Sequence, residues 1–241
     1  MDIDEFDTMD NCYKQLIVWN PEAEEIIGGY RYLLGTDVEL DENGQPILAT
    51  GHMFHFSDKF MKDYMPQTIE LGRSFVSLEY QSSKMGAKSL FALDNLWDGL
   101  GALVRNNSGH ALLFSAKSPC TARTTKKPAT SCSISCANIS RIAKPGRGHS
   151  PDRPRFRRRK MEALFCGGSY AEDYKTLIRE IRNYRENIPP LINSYMSLSP
   201  SMRVFGTVVN PDFGNVEETG ILITISDIYP KKSERHFKIR K

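Results

Sequence analysis

Thr68-Ile69-Glu70-Leu71-Gly72-Arg73-Ser74-Phe75-Val76 is the stretch that decides the fold. Its β-branched and aromatic residues predict a strand over about residues 68–78. A polar loop follows, Ser82-Ser83-Lys84-Met85-Gly86-Ala87-Lys88. After it, Leu90, Leu93, Leu96, Trp97, Leu100 and Val104 recur at helical spacing and form one apolar stripe. A glycine loop feeding a helix can offer backbone N–H groups to a phosphate. Lys84, Gly86 and Lys88 stand where such a phosphate would bind. Glu70 and Arg73 lie three apart, so their side chains point to opposite faces unless a bulge at Gly72 re-aims one. Taken alone, the pair also reads as a structural ion pair at a sheet edge.

Working outward, Tyr13–Trp19 and Ile26–Leu34 read as two strands of a hairpin, the second interrupted at Gly28-Gly29. Phe54–Met65 reads as a short helix or an irregular segment. Tyr170–Tyr184 is a charged amphipathic helix that stops before Pro189-Pro190. Leu191–Leu198 follows as a further short helix. Arg203–Asn210 and Gly220–Ile225 read as strands, parted by the turn-rich Pro211-Asp212-Phe213-Gly214. Strands mixed with helices around a strand–loop–helix unit predict an α/β or α+β fold with a mixed sheet.

The chain has 241 residues, 25% charged and 40% hydrophobic, with a net charge of +3 and a mean hydropathy of −0.43. No apolar run approaches the ~18 residues of a spanning helix. The acidic start, Met1-Asp2-Ile3-Asp4-Glu5-Phe6-Asp7, is unlike a secretory or mitochondrial presequence. Five cysteines are too few and too irregular for a disulfide scaffold.

The net charge hides a split. Val104–Lys160 holds fourteen Lys/Arg against a single acid, Asp152, for a net +13, and the remainder is −10. Three readings of this Ser/Thr/Arg/Pro stretch compete. One is a basic arm for nucleic acid centred on Arg153–Lys160, although only Phe156 could stack a base. Another is a metal knot from Cys120, Cys132, Cys136 and His149, whose spacing lacks a paired Cys-x-x-Cys. The favoured reading is translation out of frame, entered near Val104–Ala111 and restored before Met161. Shifted by two bases, codons compatible with Leu113–Lys144 encode a strand followed by an amphipathic helix and a proline stop. The expected organisation is therefore residues 1–103 and 161–241 as parts of one core, with 104–160 as a basic, disordered insert.

Several motifs carry a resemblance. Glu70-Leu71-Gly72-Arg73 resembles the Glu-Leu-Gly/Ser-Arg motif of GNAT-fold acyltransferases that use acyl carrier protein. These are the acyl-homoserine lactone synthases and the haemolysin-like ornithine- or glycine-lipid N-acyltransferases. Glu5-Phe6-Asp7-Thr8-Met9-Asp10 is similar to their acidic segment, and Gly28-Gly29-Tyr30-Arg31-Tyr32-Leu33 to their Gly-x-x-Arg-Leu strand. Leu96-Trp97-Asp98-Gly99 and Ile188-Pro189-Pro190-Leu191, with Asp212-Phe213-Gly214, resemble motifs of the lipid enzymes. The phosphate loop departs from the family's pattern, because Gln81 precedes Ser82-Ser83-Lys84 and the glycine comes late. The family's first strand and helix would precede the acidic segment, so the chain is expected to be shortened at its start.

The resemblance implies a GNAT-like acyltransferase fold, incomplete in this chain. It also implies transfer of a (3-hydroxy)fatty acyl group from an acyl carrier protein, or acyl-CoA, to an amino-acid amine. The phosphopantetheine thioester is a substrate, and no permanently bound cofactor or metal is expected. Glu70 is the expected base, with Arg73 as its catalytic neighbour. Glu5, Asp7 and Asp10 would orient the amino acid, and Arg31 or Arg73 would hold its carboxylate. Backbone N–H groups of Phe75 and Val76 would polarise the thioester. Trp97 and Phe91 would wall an acyl tunnel. Acyl carrier protein is the expected partner, nucleic acid is not, and the setting is cytoplasmic with peripheral contact to the inner membrane face. The alternatives are an inactive remnant of such an enzyme, or a nucleic-acid-binding protein acting through 104–160.

Overall fold

The computed structural model describes residues 8–81, 87–117, 144–145, 169–183, 185, 187–188, 190–211 and 216–237. β1 (Lys14–Asn20) and β2 (Glu25–Leu34) form the hairpin, turning at Glu24 with φ +53°. The two glycines do not interrupt β2, which runs unbroken through them. β3 (Phe54–His55) and α1 (Asp58–Asp63) follow; the Ser57 hydroxyl caps α1 by accepting from the Phe60 amide. β4 (Thr68–Val76) is the motif strand, and α2 (Leu78–Gln81) is a single turn after it.

α3 (Ala87–Asn106) is the striped helix and crosses over to β5 (Leu112–Lys117). β6 (Lys144–Pro145) pairs with β3. α4 (Tyr170–Arg182) starts at the Ser169 cap, with Glu172 and Asp173 in its first turn and Arg179 and Arg182 in its last. That order of charge complements the helix dipole. α5 (Pro190–Met196), β7 (Arg203–Asn210), β8 (Val216–Thr224) and the short α6 (Pro230–Lys232) complete the chain, the last running into a π-turn over Ser233–Phe237.

Six strands form one mixed sheet in the order β1-β2-β4-β5-β8-β7. Only β4 and β5 are parallel among its neighbours. A parallel pair needs a crossover, and α3 supplies it. Strand alternation sends Ile69 and Leu71 to the helix side, where they join Leu96, Leu100, Leu177 and Ile221 in the larger core. Leu112 and Phe114 point the other way, under the irregular segment 38–65 with Phe54, Phe56 and Phe60. Phe56 and Phe114 meet edge-on with centroids 5.6 Å apart. The C-terminal turn is locked onto α3, because a Cβ on Gly101 would stand 1.7 Å from the His236 carbonyl oxygen.

The boundary expected at 103/104 does not match the structure. It falls inside α3, and β5 is a central strand whose residues Leu112–Ser115 are all buried. A short buried strand needs only an uncharged apolar run, and Leu112-Leu113-Phe114 supplies it even beside basic, Ser-rich text. The rest of the +13 stretch, and with it the nucleic-acid, metal-knot, insert and out-of-frame readings, lies outside the described residues apart from 144–145.

Candidate active site

β4 and β5 pair over only four rungs, Thr68–Leu71 against Leu112–Ser115. The Ser115 hydroxyl donates to the Leu71 carbonyl (2.6 Å) at the last rung. Beyond it β4 stays with β2 and β5 stays with β8, so the two strands part in the middle of the sheet. At the same point β4 bulges. Gly29 faces Phe75 and Arg31 faces Gly72, so Tyr30 alone opposes Arg73 and Ser74. Arg73 takes the left-handed conformation, φ +41°, which costs a non-glycine residue about 1–3 kcal/mol. The bulge that would bring Glu70 and Arg73 to one face is thus present, one residue after Gly72. It turns Arg73 to the side of the sheet that also carries Arg31 and Glu70.

Glu70 is 3% exposed. Its Oε1 accepts from the Thr50 hydroxyl (2.6 Å), and its Oε2 accepts a short hydrogen bond from the Tyr13 hydroxyl. The Ala49 amide donates to that Tyr13 oxygen (2.9 Å), so the phenol relays between backbone and carboxylate. Burial raises the Glu70 pKa; the bonds from Thr50 and Tyr13 and the Arg31 charge oppose the rise without cancelling it. Burial and the neighbouring Glu70 charge raise Tyr13 as well, keeping the phenol protonated.

Arg31 is 5% exposed, with its guanidinium 4.7 Å above the Tyr13 ring. Its Nη1 donates to Asp10 Oδ1 (2.9 Å), and Arg73 Nη1 donates to Asp10 Oδ2 (3.2 Å). One carboxylate therefore bridges two guanidiniums, leaving the trio with one net positive charge. Arg31 is the buried member; the Arg73 side chain is 46% exposed. Glu70, Arg73, Arg31 and Asp10 are thus brought together, although they come from three separated motifs. Tyr13 and Thr50 were missed by the sequence reading. Nothing local marks them, since they reach Glu70 from 57 and 20 residues away.

The remaining expected residues are less closely gathered. The Ser77 amide donates to the Ile27 carbonyl (2.8 Å). Two-residue alternation along the ladder then points the Phe75 amide at β2 and the Val76 amide toward the side that β5 has left. Lys88 lies in the first turn of α3, while Glu5, Asp7, Lys84 and Gly86 lie outside the described residues. Trp97 is core, edge-on to Tyr195 at 5.3 Å, and Phe91 is exposed, so the two do not face each other across a tunnel. A cavity of about 170 Å³ between α4 and α5, lined by Tyr174, Ile181 and Ile188 among others, contains none of the expected site residues. Among the described residues no cluster could hold a metal ion, and no helix is long and apolar enough to cross a membrane.

A mixed sheet that splays between parallel β4 and β5 fits the GNAT-like fold that the sequence motifs imply. Residues 1–90 match the acetyltransferase (GNAT) domain family. Two curated relatives extend the match along nearly the whole chain. The glycine N(alpha)-acyltransferase of Bacteroides thetaiotaomicron is 54% identical over 249 residues, covering 99% of this chain and 71% of the relative. That of Phocaeicola vulgatus is 52% identical, covering 99% and 73%. No solved structure matches. The chain belongs to the GNAT family of N-acyltransferases.

Proposed function

We propose that this enzyme moves a fatty acyl group, 3-hydroxylated in the favoured form, from an acyl carrier protein thioester to the amine of glycine. The observation that carries the reading is the buried Glu70 beside the Asp10-bridged arginines, at the place where β4 leaves β5. The names of the two relatives favour glycine as acceptor.

An amino acid arrives as an ammonium ion and must lose a proton before it can attack. Glu70, with its raised pKa, is a stronger base than an ordinary glutamate and takes that proton, directly or through one water. Thr50 and Tyr13 hold both carboxylate oxygens in place. Arg73, the exposed cation, clamps the substrate carboxylate. Buried Arg31 orients Asp10 and offsets the charge on Glu70. The amine nitrogen then bonds to the thioester carbon. The carbonyl oxygen, charged in the tetrahedral stage, would be stabilised by backbone N–H groups of the strand after Arg73, around Phe75 and Val76. The C–S bond breaks, the amide keeps the acyl group, and the second proton lost by the nitrogen goes to the departing thiolate. Lys84, Gly86 and Lys88 would hold the donor's phosphate. CoA is the alternative donor. An amphiphilic product suits an enzyme in the cytoplasm that touches the membrane peripherally.

The test is purified protein with acyl carrier thioester and glycine, followed by thiol release and by mass spectrometry of N-acylglycine. Glu70→Gln should lower glycine-dependent turnover about 10²–10⁴-fold. Product formation that is unchanged in this variant would overturn the assignment of the base.

A further inference from the structure

Gly72 is a glycine for which the fold gives no reason. Its backbone is not in the left-handed region; Gly44 and Gly206 are the glycines with positive φ among the described residues. Among the described residues no neighbour crowds it either: a Cβ built on Gly72 would meet a single atom of them within 4 Å, Arg31 Nε at 3.8 Å. By contrast, a Cβ on Gly28 or Gly29 would strike backbone oxygen at 2.7 or 2.9 Å. Gly72 also lies between the two ends of the site. Glu70 is two residues before it on the same face, Arg73 follows it at the bulge, and Arg31 is its cross-strand partner. Residues i and i+2 of a strand are about 7 Å apart. Gly72 therefore stands on the strand between the proton acceptor, two residues before it, and the carboxylate clamp, one residue after it.

Resting on the reading of Glu70 and Arg73 given above, we propose that the open space over Gly72 seats the α-carbon of the acceptor and limits it to an amino acid without a side chain. A methyl group on either partner would compete for the same volume. Alanine or serine as acceptor should therefore be poor for the same reason that Gly72→Ala is poor for glycine. One methyl in a fitted pocket changes kcat/KM by about 10–200-fold.

The experiment measures acyl transfer to glycine, L-alanine and L-serine by the wild-type protein and by Gly72→Ala and Gly72→Val, alongside thermal melting and affinity for the acyl carrier thioester. The expected result is a KM for glycine raised about 10–200-fold in Gly72→Ala and higher again in Gly72→Val. Donor affinity stays within twofold and melting is not lowered, since the added Cβ has room. A KM for glycine unchanged in both variants overturns the proposal. So does a wild-type enzyme that takes alanine as well as glycine, or a Gly72→Ala variant that melts far below wild type. Failure of the underlying reading looks different: Glu70→Gln would then retain wild-type turnover whatever residue stands at position 72.

Discussion

On the helix side of the sheet, Leu71, Leu100, Leu177 and Ile221 pack carbon against carbon. The polar groups admitted there are kept neutral: Tyr195 donates to Tyr30, and burial pushes the Tyr30 pKa up to about 12 and Tyr195 well above its usual value. On the other side, Glu70 and Arg31 are buried as a carboxyl group and a guanidinium, held by Thr50, Tyr13 and Asp10. Burying such groups opposes folding unless every partner is in place. The first face exists for stability. The second holds a carboxylate whose pKa burial has raised, and under the proposed reading that carboxylate is the base.

The contrast can be broken by substitutions that should separate folding from turnover. Leu100→Ala, at a fully buried position on α3, should cost about 2–5 kcal/mol of stability. Denaturant unfolding measures it, and turnover per folded molecule should stay at the wild-type level. Arg73→Ala should do the reverse. It keeps the Cβ and with it the left-handed strain of that position, leaves the buried ladder intact, and should raise the KM for the amino acid by about 1.5–3 kcal/mol in binding equivalents, with kcat and melting little changed.

Much of this contrast was legible in the sequence, and the reasons for the exceptions are physical. The apolar stripe of α3 and the strand Thr68–Val76 announce themselves by spacing, so the helix face could be drawn in advance. A bulge near Gly72 could be stated as a condition, because only a bulge brings Glu70 and Arg73 to one side. Strand β5 does not stand out in the sequence, since its six residues carry no alternation and are followed by a basic run. Tyr13 and Thr50 were invisible as partners of Glu70. Long-range hydrogen bonds leave no local pattern, and the irregular segment that delivers Thr50 has no periodicity to read. Arg31 and Arg73 are equivalent as candidate carboxylate clamps in the sequence, and only their burial differs in the structure.

A smaller effect sharpens the same contrast through pH. A carboxyl group whose pKa is raised by folding contributes stability below its unfolded value, and loses it as pH climbs through the folded value. For Glu70 the window opens at about pH 4.3, the ordinary glutamate value, and extends up to its raised pKa. Stability should fall across that window by at most about 1.4 kcal/mol per pH unit from this group. Glu70→Gln should remove that share of the slope, read as the difference between the two unfolding curves, while a helix-face variant such as Leu100→Ala should leave it in place.

The central claim is that Glu70, held at a raised pKa by burial, accepts the proton of the attacking amine. The most direct measurement is the pH dependence of kcat/KM for glycine, followed as thiol release from the acyl carrier thioester, in wild-type protein and Glu70→Gln. A wild-type rising limb displaced above the ordinary carboxylate range, and lost in Glu70→Gln together with glycine-dependent release, is the predicted result. The same limb and the same rate in both proteins would contradict it.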